Sequence, residues 1–472
     1  MTFTRQINYL IAGSLVLLIV IGGAASYWAI TGPEGILTRE DNPRRVEAEA
    51  AIRRGSIYDA TGVLLAETRV TDTGALERHY SYPAMNSALG YFSLRYGTGG
   101  AEAAYNDILR GETLPLTWER HWEQNVLHRP GVGSDVQLTL RHEIQQAAAG
   151  ALQGQRGAAV VLRVPDGAIL ALVSQPTFDP NTLDTNWADL IAAEDTPFFN
   201  RALQSRYQPG GTIQTLLLAL ATLTNTDINA VYMDADRVLE VDDLSVGCTE
   251  QPPQSELTLR QAYAYGCPAP FLELAEALGA TRLNQFFSGI YLDQLPIMAG
   301  FVPEVRQNGA ALPFTDPIQQ AADVIGQSQF TLNPLTLAGM AAAIAGNGNV
   351  PAPYALAATR PPGGDWHTFT PDQASTPLLT NEAARRLREI MTTSLPEGAA
   401  RAASRPDLSI GGQAALAYTG EETLAWFMGF APITDDQALA IALVIEQSSE
   451  PAQAARLAGD ILEVGVDVLA PE

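Results

Sequence analysis

Ile7 to Ile30 runs for about 24 residues without a charged side chain. As a helix rising 1.5 Å per residue this stretch measures roughly 36 Å, enough to cross a bilayer core with some tilt. Tyr27 and Trp28 fall near its end, where interfacial aromatics sit. A cleaved signal peptide is the competing reading, but its apolar region runs only about 7 to 15 residues, so an uncleaved anchor over residues 7–30 is favoured. Arg5 beside the amino terminus orients residues 1–6 toward the cytoplasm and the remainder outside it. Beyond the anchor, Glu34 to Arg54 is polar and lacks apolar periodicity, as expected of a stalk. In Arg54 to Ala66 two apolar clusters flank the turn-forming Asp59–Gly62 and predict a hairpin. Tyr80 to Gly133 reads as a second small unit with a glycine-rich turn at Gly97–Gly100 and a helix over Ala101–Leu109, so residues 31–134 form a small domain.

From Asp135 the elements lengthen. Val136–Leu140 alternates as a strand, Glu143–Leu152 reads as a helix, and Ala158–Leu162 with Ala168–Ser174 predicts a hairpin across Pro165-Asp166-Gly167. Helices dominate the middle, at Gln214–Leu223, Leu259–Ala264, Phe271–Leu278 and Leu335–Ala345. Strands return at Ile410–Ala417, Ala425–Ala431 and Ala438–Ile445, followed by an amphipathic helix from Pro451 to about Leu462. Strands at both ends of a helical insertion predict an α+β domain over residues 135–472, its antiparallel sheet assembled from the two ends of the segment.

The chain has 472 residues, 46% of them hydrophobic and 17% charged, consistent with more than one globular domain. A net charge of −24 argues against nucleic acid and anionic surfaces as partners. The acidic stretch Asp227–Glu250, with Asp234, Asp236, Glu240, Asp242 and Asp243, matches no defined cation loop and reads as a solvated face. No metal or cofactor is expected. Cys248 and Cys267 are the only cysteines; a disulfide is the preferred reading for an exported chain, two buried thiols the alternative. The chain contains no lysine, all 28 of its basic residues being arginine.

Six segments in order carry a resemblance: RGSIYDATG at 54–62, LGYFSLRYGTGGAEAAYNDILRG at 89–111, GAILALVSQPTFDPN at 167–181, NRALQSRYQPGG at 200–211, IGQSQFTLNPLTLAGMAAAIAGNG at 325–348 and AWFMGFAP at 425–432. Together they resemble class B penicillin-binding proteins, the peptidoglycan D,D-transpeptidases of cell division and elongation, of the short-pedestal type. The resemblance implies a penicillin-binding, serine β-lactamase-like transpeptidase domain with a helical subdomain, preceded by a pedestal and one transmembrane helix. It also implies a SEDS-family glycan polymerase, or another division or elongation membrane protein, as partner, and a wall peptide as ligand.

The family's three catalytic constellations are degenerate here. A serine with a lysine one helical turn later becomes a nucleophile, because the amine takes its proton. In YQPGGTIQT those positions hold Gly211 and Gln214. The Ser-x-Asn pair is replaced by Gly266 and Pro268, and proline also lacks a backbone donor. Lys-Thr-Gly-Thr becomes Gln413, Ala414, Ala415 and Leu416. Only the backbone N–H groups of Gly211 and Leu416 remain to imitate an oxyanion hole. Lysine-averse codon usage would give arginine rather than glutamine, and it leaves the serine and asparagine changes unexplained. Thr212, Ser205 and Cys267 are conceivable replacement nucleophiles, but His79, His121, His128, His142 and His367 all lie outside the three motifs, so no base is in view. The resulting expectation is a non-catalytic scaffold or regulator of a glycan polymerase. The rivals are a D,D-transpeptidase with a non-standard nucleophile and a wall-peptide or β-lactam binding module.

Overall fold

The computed structural model describes residues 2–32 and 47–470 apart from 48, 116, 119, 121, 123–126, 128, 242, 290–318, 373 and 420–421. The stalk over 33–46, and His121, His128 and Asp242, lie outside the described residues. The chain forms two compact units. One comprises residues 1–53, 69–77 and 115–132. It contains the helix Thr2–Gly32, whose stretch Ile7–Tyr27 is long and apolar enough to cross a membrane. Its aromatic residues Trp118 and Trp122 are exposed, with ring centroids 6.1 Å apart.

The larger unit comprises residues 54–68, 78–114 and 133–472. Its main sheet has five antiparallel strands, in the order Gly411–Thr419, Glu422–Pro432, Ala438–Glu446, Gly157–Val164, Ile169–Gln175. The register runs unbroken from Gly411↔Phe430 to Thr419↔Glu422 and from Ala438↔Val164 to Ile445↔Gly157. The strands are buried on both faces, as sheets covered by helices are, which explains their continuous apolar runs. Helices His142–Ala151 and Pro451–Leu469 pack one face, through Ile144, Leu457 and Ile461. The other face meets the helix Pro334–Ala345, buried at every position but Thr336, and the helix Gln214–Leu223.

A second sheet joins distant parts of the chain, in the order 367–368, 356–360, 135–138, 57–58, 64–70, 76–80. Ile57 pairs in parallel with Val136 and antiparallel with Ala66 across the Asp59 turn. Asp59 accepts from Thr61 N–H and Val63 N–H, both at 2.8 Å, and Gly62 takes the left-handed φ of +89° that closes the turn. In the same unit, the buried carboxylate of Glu102 accepts from Arg54 at 2.9 Å and Arg78 at 2.6 Å. Burial alone would push Glu102 up, but the Arg78 and Arg54 guanidiniums hold it below its ordinary value. The helix expected over Ala101–Leu109 is broken in two, Gly100–Ala104 and Asn106–Leu109, because Tyr105 leaves helical geometry at φ −110°, ψ 22° while its ring stays buried.

Candidate active site

The turn that carries Gly211 is fixed from three sides. Tyr207 N–H donates to Leu332 O at 3.0 Å, and its hydroxyl donates to Glu446. Glu446 also pairs with Arg201 at 2.9 Å and Arg156 at 3.0 Å. Gly210 takes φ +54° and donates to Gly326 O at 3.1 Å, and a Cβ on it would lie 2.0 Å from Leu416 O. Only glycine fits there. A short 3-10 turn, Gly210–Ile213, then runs into the helix Gln214–Leu223.

Gly266 ends a second element. Thr258 and Gln261 form a capping box at the start of helix Leu259–Tyr265, and Gly266 terminates it in the left-handed conformation, φ +62°. Pro268 then occupies the first turn of helix Pro268–Leu278, a position that has no need of its missing N–H. Cys267, between them, forms a disulfide with Cys248. The bond draws Thr249 against Gly266: Thr249 N–H donates to Gly266 O at 3.2 Å, and a side chain on Gly266 would meet the Thr249 hydroxyl at 2.3 Å.

The third element is the edge strand Gly411–Thr419. Gln413 is 2% exposed; its Nε2 donates to Gly211 O at 3.2 Å, and its Oε1 accepts from Thr215 Oγ1 at 2.8 Å. Thr215 in turn lies 3.0 Å from the Tyr263 hydroxyl, whose pKa burial raises above its ordinary value. A Cβ on Gly211 would stand 3.2 Å from that of Ala415. Ala414 belongs to the core on the sheet's opposite side, with Leu457 and Ile461, and takes no part in the cleft.

Gly211, Gln214, Gly266, Pro268 and Leu416 line one cavity, joined by Gly247, Thr249, Ile325 and Tyr418, with Gln413 and Ala415 against its Gly211 wall. Its volume is about 20 Å³, room for roughly one water. None of its lining side chains is a carboxylate, imidazole, amine or guanidinium. Gln214 is 1% exposed, and its Oε1 has no partner among the described residues. The hydroxyls on the wall are those of Thr249 and Tyr418, the latter raised in pKa by burial. The other nucleophile candidates are turned away: Thr212 donates to Pro209 O and Ser205 to Arg201 O, both at 2.7 Å, while Cys267 is in the disulfide. Of the described histidines none lines the cavity, and His142 pairs with Asp59 at 3.0 Å. Asp59, His142 and Glu143 are the one group of ligand-type side chains close enough for a metal among the described residues, but Asp59 already caps the turn before Val63. Thr249 went unnoticed in the sequence, although a bond between Cys248 and Cys267 would set it beside Gly266.

Two family models match the chain. The penicillin binding protein transpeptidase domain covers residues 157–463, and the penicillin binding protein A dimerisation domain covers residues 54–136. The chain belongs to the penicillin-binding protein transpeptidase family. Among relatives, peptidoglycan D,D-transpeptidase PbpA of Mycolicibacterium smegmatis is 27% identical over 462 residues, 92% of each chain. MrdA of Acinetobacter baumannii is 27% identical over 412 residues, 78% of this chain and 60% of that one. Among solved structures, penicillin-binding protein A from M. tuberculosis, as its imipenem acyl-enzyme complex, is similar with a TM-score of 0.76 at 25% identity, covering 89% of this chain and 100% of that one. The D,D-transpeptidase domain of a peptidoglycan glycosyltransferase from Eggerthella lenta gives 0.75 at 26% identity, covering 89% and 99%. The penicillin-binding fold, with its pedestal, is therefore that of this chain.

Proposed function

We propose that this chain serves peptidoglycan synthesis as a membrane-anchored, non-catalytic member of its family, acting through bound partners. One observation carries the reading: the cavity at the motif positions is about 20 Å³ and walled by neutral side chains, with no base beside either hydroxyl. Acyl transfer needs a nucleophile, a group to take its proton and space for the acyl donor. In serine hydrolases, loss of the nucleophile or its base costs on the order of 10⁶ in turnover. A relative with a bound imipenem acyl group has a nucleophile that forms this bond; at the corresponding motif position this chain offers Gly211.

The small cavity also argues against a wall-peptide or β-lactam binding module at this place. The preserved fold supports a binding role elsewhere on the chain. The partner we propose is a SEDS-family glycan polymerase, engaged through the apolar helix at Ile7–Tyr27 and the pedestal, with the carboxyl-terminal part outside the cytoplasm. Affinity purification of the detergent-solubilised chain tests this: a membrane polymerase should co-purify in stoichiometric amount, and isolated wall fragments should not. Retention on wall fragments with no membrane partner would reverse the assignment.

The rival enzyme reading has Thr249 as its one specific support, a hydroxyl on the cavity wall close to where a side chain on Gly266 would project. It requires covalent labelling by fluorescent penicillin that disappears in Thr249→Val.

A further inference from the structure

Outside the motif cavity, three ligand-bearing side chains converge where the Asp59 turn meets the start of helix His142–Ala151. The Asp59 carboxylate divides its contacts. Oδ1 alone closes the turn, accepting from Thr61 N–H at 2.8 Å, Thr61 Oγ1 at 2.7 Å and Val63 N–H at 2.8 Å. Oδ2 is left to face the helix, 3.3 Å from the His142 backbone nitrogen and 3.0 Å from His142 Nδ1. Glu143 Oε2 approaches the same ring nitrogen at 3.2 Å. One ligand atom from each of the three residues lies within 4.8 Å of the others.

A hydrogen bond between His142 and Asp59 explains only part of this. Nδ1 carries at most one proton, and Asp59 Oδ2 is its nearer partner. Glu143 Oε2 is then closed off from solvent, without a hydrogen bond and beside a second carboxylate. Two carboxylate oxygens gathered at one nitrogen repel each other unless a cation lies between them. Among the described residues no arginine supplies it: Arg141, next in sequence, donates to Val468 O at 3.2 Å and pairs with neither carboxylate. Spacing and donor set select the cation. Ligand atoms of a tetrahedral zinc site, with bonds of about 2.0–2.1 Å, stand about 3.3–3.4 Å apart, and the two contacts to Nδ1 are 3.0 and 3.2 Å. One imidazole nitrogen with two carboxylates suits zinc, whereas calcium and magnesium take oxygen ligands. The two carboxylates neutralise a divalent ion, and the hydrogen bonds on Oδ1 hold the Asp59 ligand from behind. His142 and Glu143 are 21% and 40% exposed, which leaves a way in and a place for water as fourth ligand.

We propose that Asp59, His142 and Glu143 form a structural zinc site. It ties the Asp59 turn to residues 83 positions later, and so fixes the pedestal hairpin to the helix that packs the main sheet through Ile144. No residue of the motif cavity takes part, so the proposal stands or falls separately from the reading of that cavity. The test is calorimetric titration of zinc chloride into the untagged full chain in detergent micelles, after a chelator has removed bound metal, with thermal melting in parallel. The expected result is one equivalent bound, a raised melting temperature, and an affinity lowered about ten-fold or more in His142→Ala and in Glu143→Gln, with excess magnesium failing to compete. Glu143→Gln keeps the side chain's shape, so it remains informative if His142→Ala fails to fold. Absence of saturable uptake, wild-type affinity in Glu143→Gln, which marks an adventitious ion only, or effective competition by magnesium would overturn it.

Discussion

Replacing Gln413 by leucine isolates the strut that holds the motif cavity shut. The wild-type amide ties the edge strand to Gly211 O at 3.2 Å and to Thr215 Oγ1 at 2.8 Å, and Thr215 continues to the Tyr263 hydroxyl at 3.0 Å. Thr215, Tyr263 and Gln413 are all at most 2% exposed, so water cannot replace what is lost. Two net hydrogen bonds at about 1 kcal/mol each, plus part of the penalty of an orphaned buried hydroxyl, give a loss of about 2–4 kcal/mol. Urea unfolding of the solubilised chain followed by far-UV circular dichroism measures it, provided the slope with denaturant stays constant. Gln413→Lys is the companion. It buries an ammonium where no carboxylate lines the cavity. Such a lysine has a folded pKa depressed below its unfolded value of about 10.4. The variant is therefore least stable at and below neutral pH, and recovers as pH rises from the depressed pKa toward about 10.4. A change below about 0.5 kcal/mol in Gln413→Leu, with Gln413→Lys as stable as the wild type at pH 7, would refute the reasoning by showing a solvated, open cleft.

Glu102→Gln leaves the Arg54 and Arg78 guanidiniums buried without their carboxylate and should cost about 3–5 kcal/mol in the same unfolding experiment. Because the folded pKa of Glu102 is lowered from 4.5, its contribution is complete above that value and is lost as pH falls below it, so the variant's acid-unfolding profile below pH 4.5 should be flatter than the wild type's. Gly210→Ala, with φ +54° and a Cβ 2.0 Å from Leu416 O, should abolish the native melt, whereas Gly211→Ala, whose Cβ finds 3.2 Å to Ala415, should shift stability by only about 1 kcal/mol. Cys248→Ser with Cys267→Ser opens a loop of sequence separation 19 and should lower stability by about 3 kcal/mol, read as a mobility shift and a lowered melting temperature.

Much of the larger unit was legible in the sequence because its elements carry local signals. The helix Gln214–Leu223 is an unbroken apolar and threonine run that begins at the motif turn, and the strands Gly157–Val164 and Ala438–Glu446 are dense in alanine, valine, isoleucine and leucine. Other elements depend on distant partners. Strand Leu356–Arg360 is held by Asp135–Leu138, more than 200 residues earlier, and nothing local announces it. Helix Asn381–Ser394 does carry an announcement, Thr380 accepting from Ala383 N–H, but its charged face obscured a buried stripe of Leu387, Ile390 and Met391. The last helix continues past Leu462 to Leu469 because Val466 extends its packed stripe and Gly465, buried against Leu439, lets the helix lie close to the sheet instead of ending it. At the cleft, the motif frame named the positions, but their tertiary consequence lay outside any local pattern. The Gln413 side chain bridges Gly211 and Thr215, and Thr249 fills the space beside Gly266.

The central claim, that the motif cavity performs no acyl transfer, is tested most directly by intact-protein mass spectrometry after prolonged incubation of the full chain with penicillin or imipenem. The account predicts an unchanged mass. A stoichiometric adduct of one β-lactam, lost in Thr249→Val or mapped by peptide analysis to any residue lining the Gly211 cavity, would contradict it.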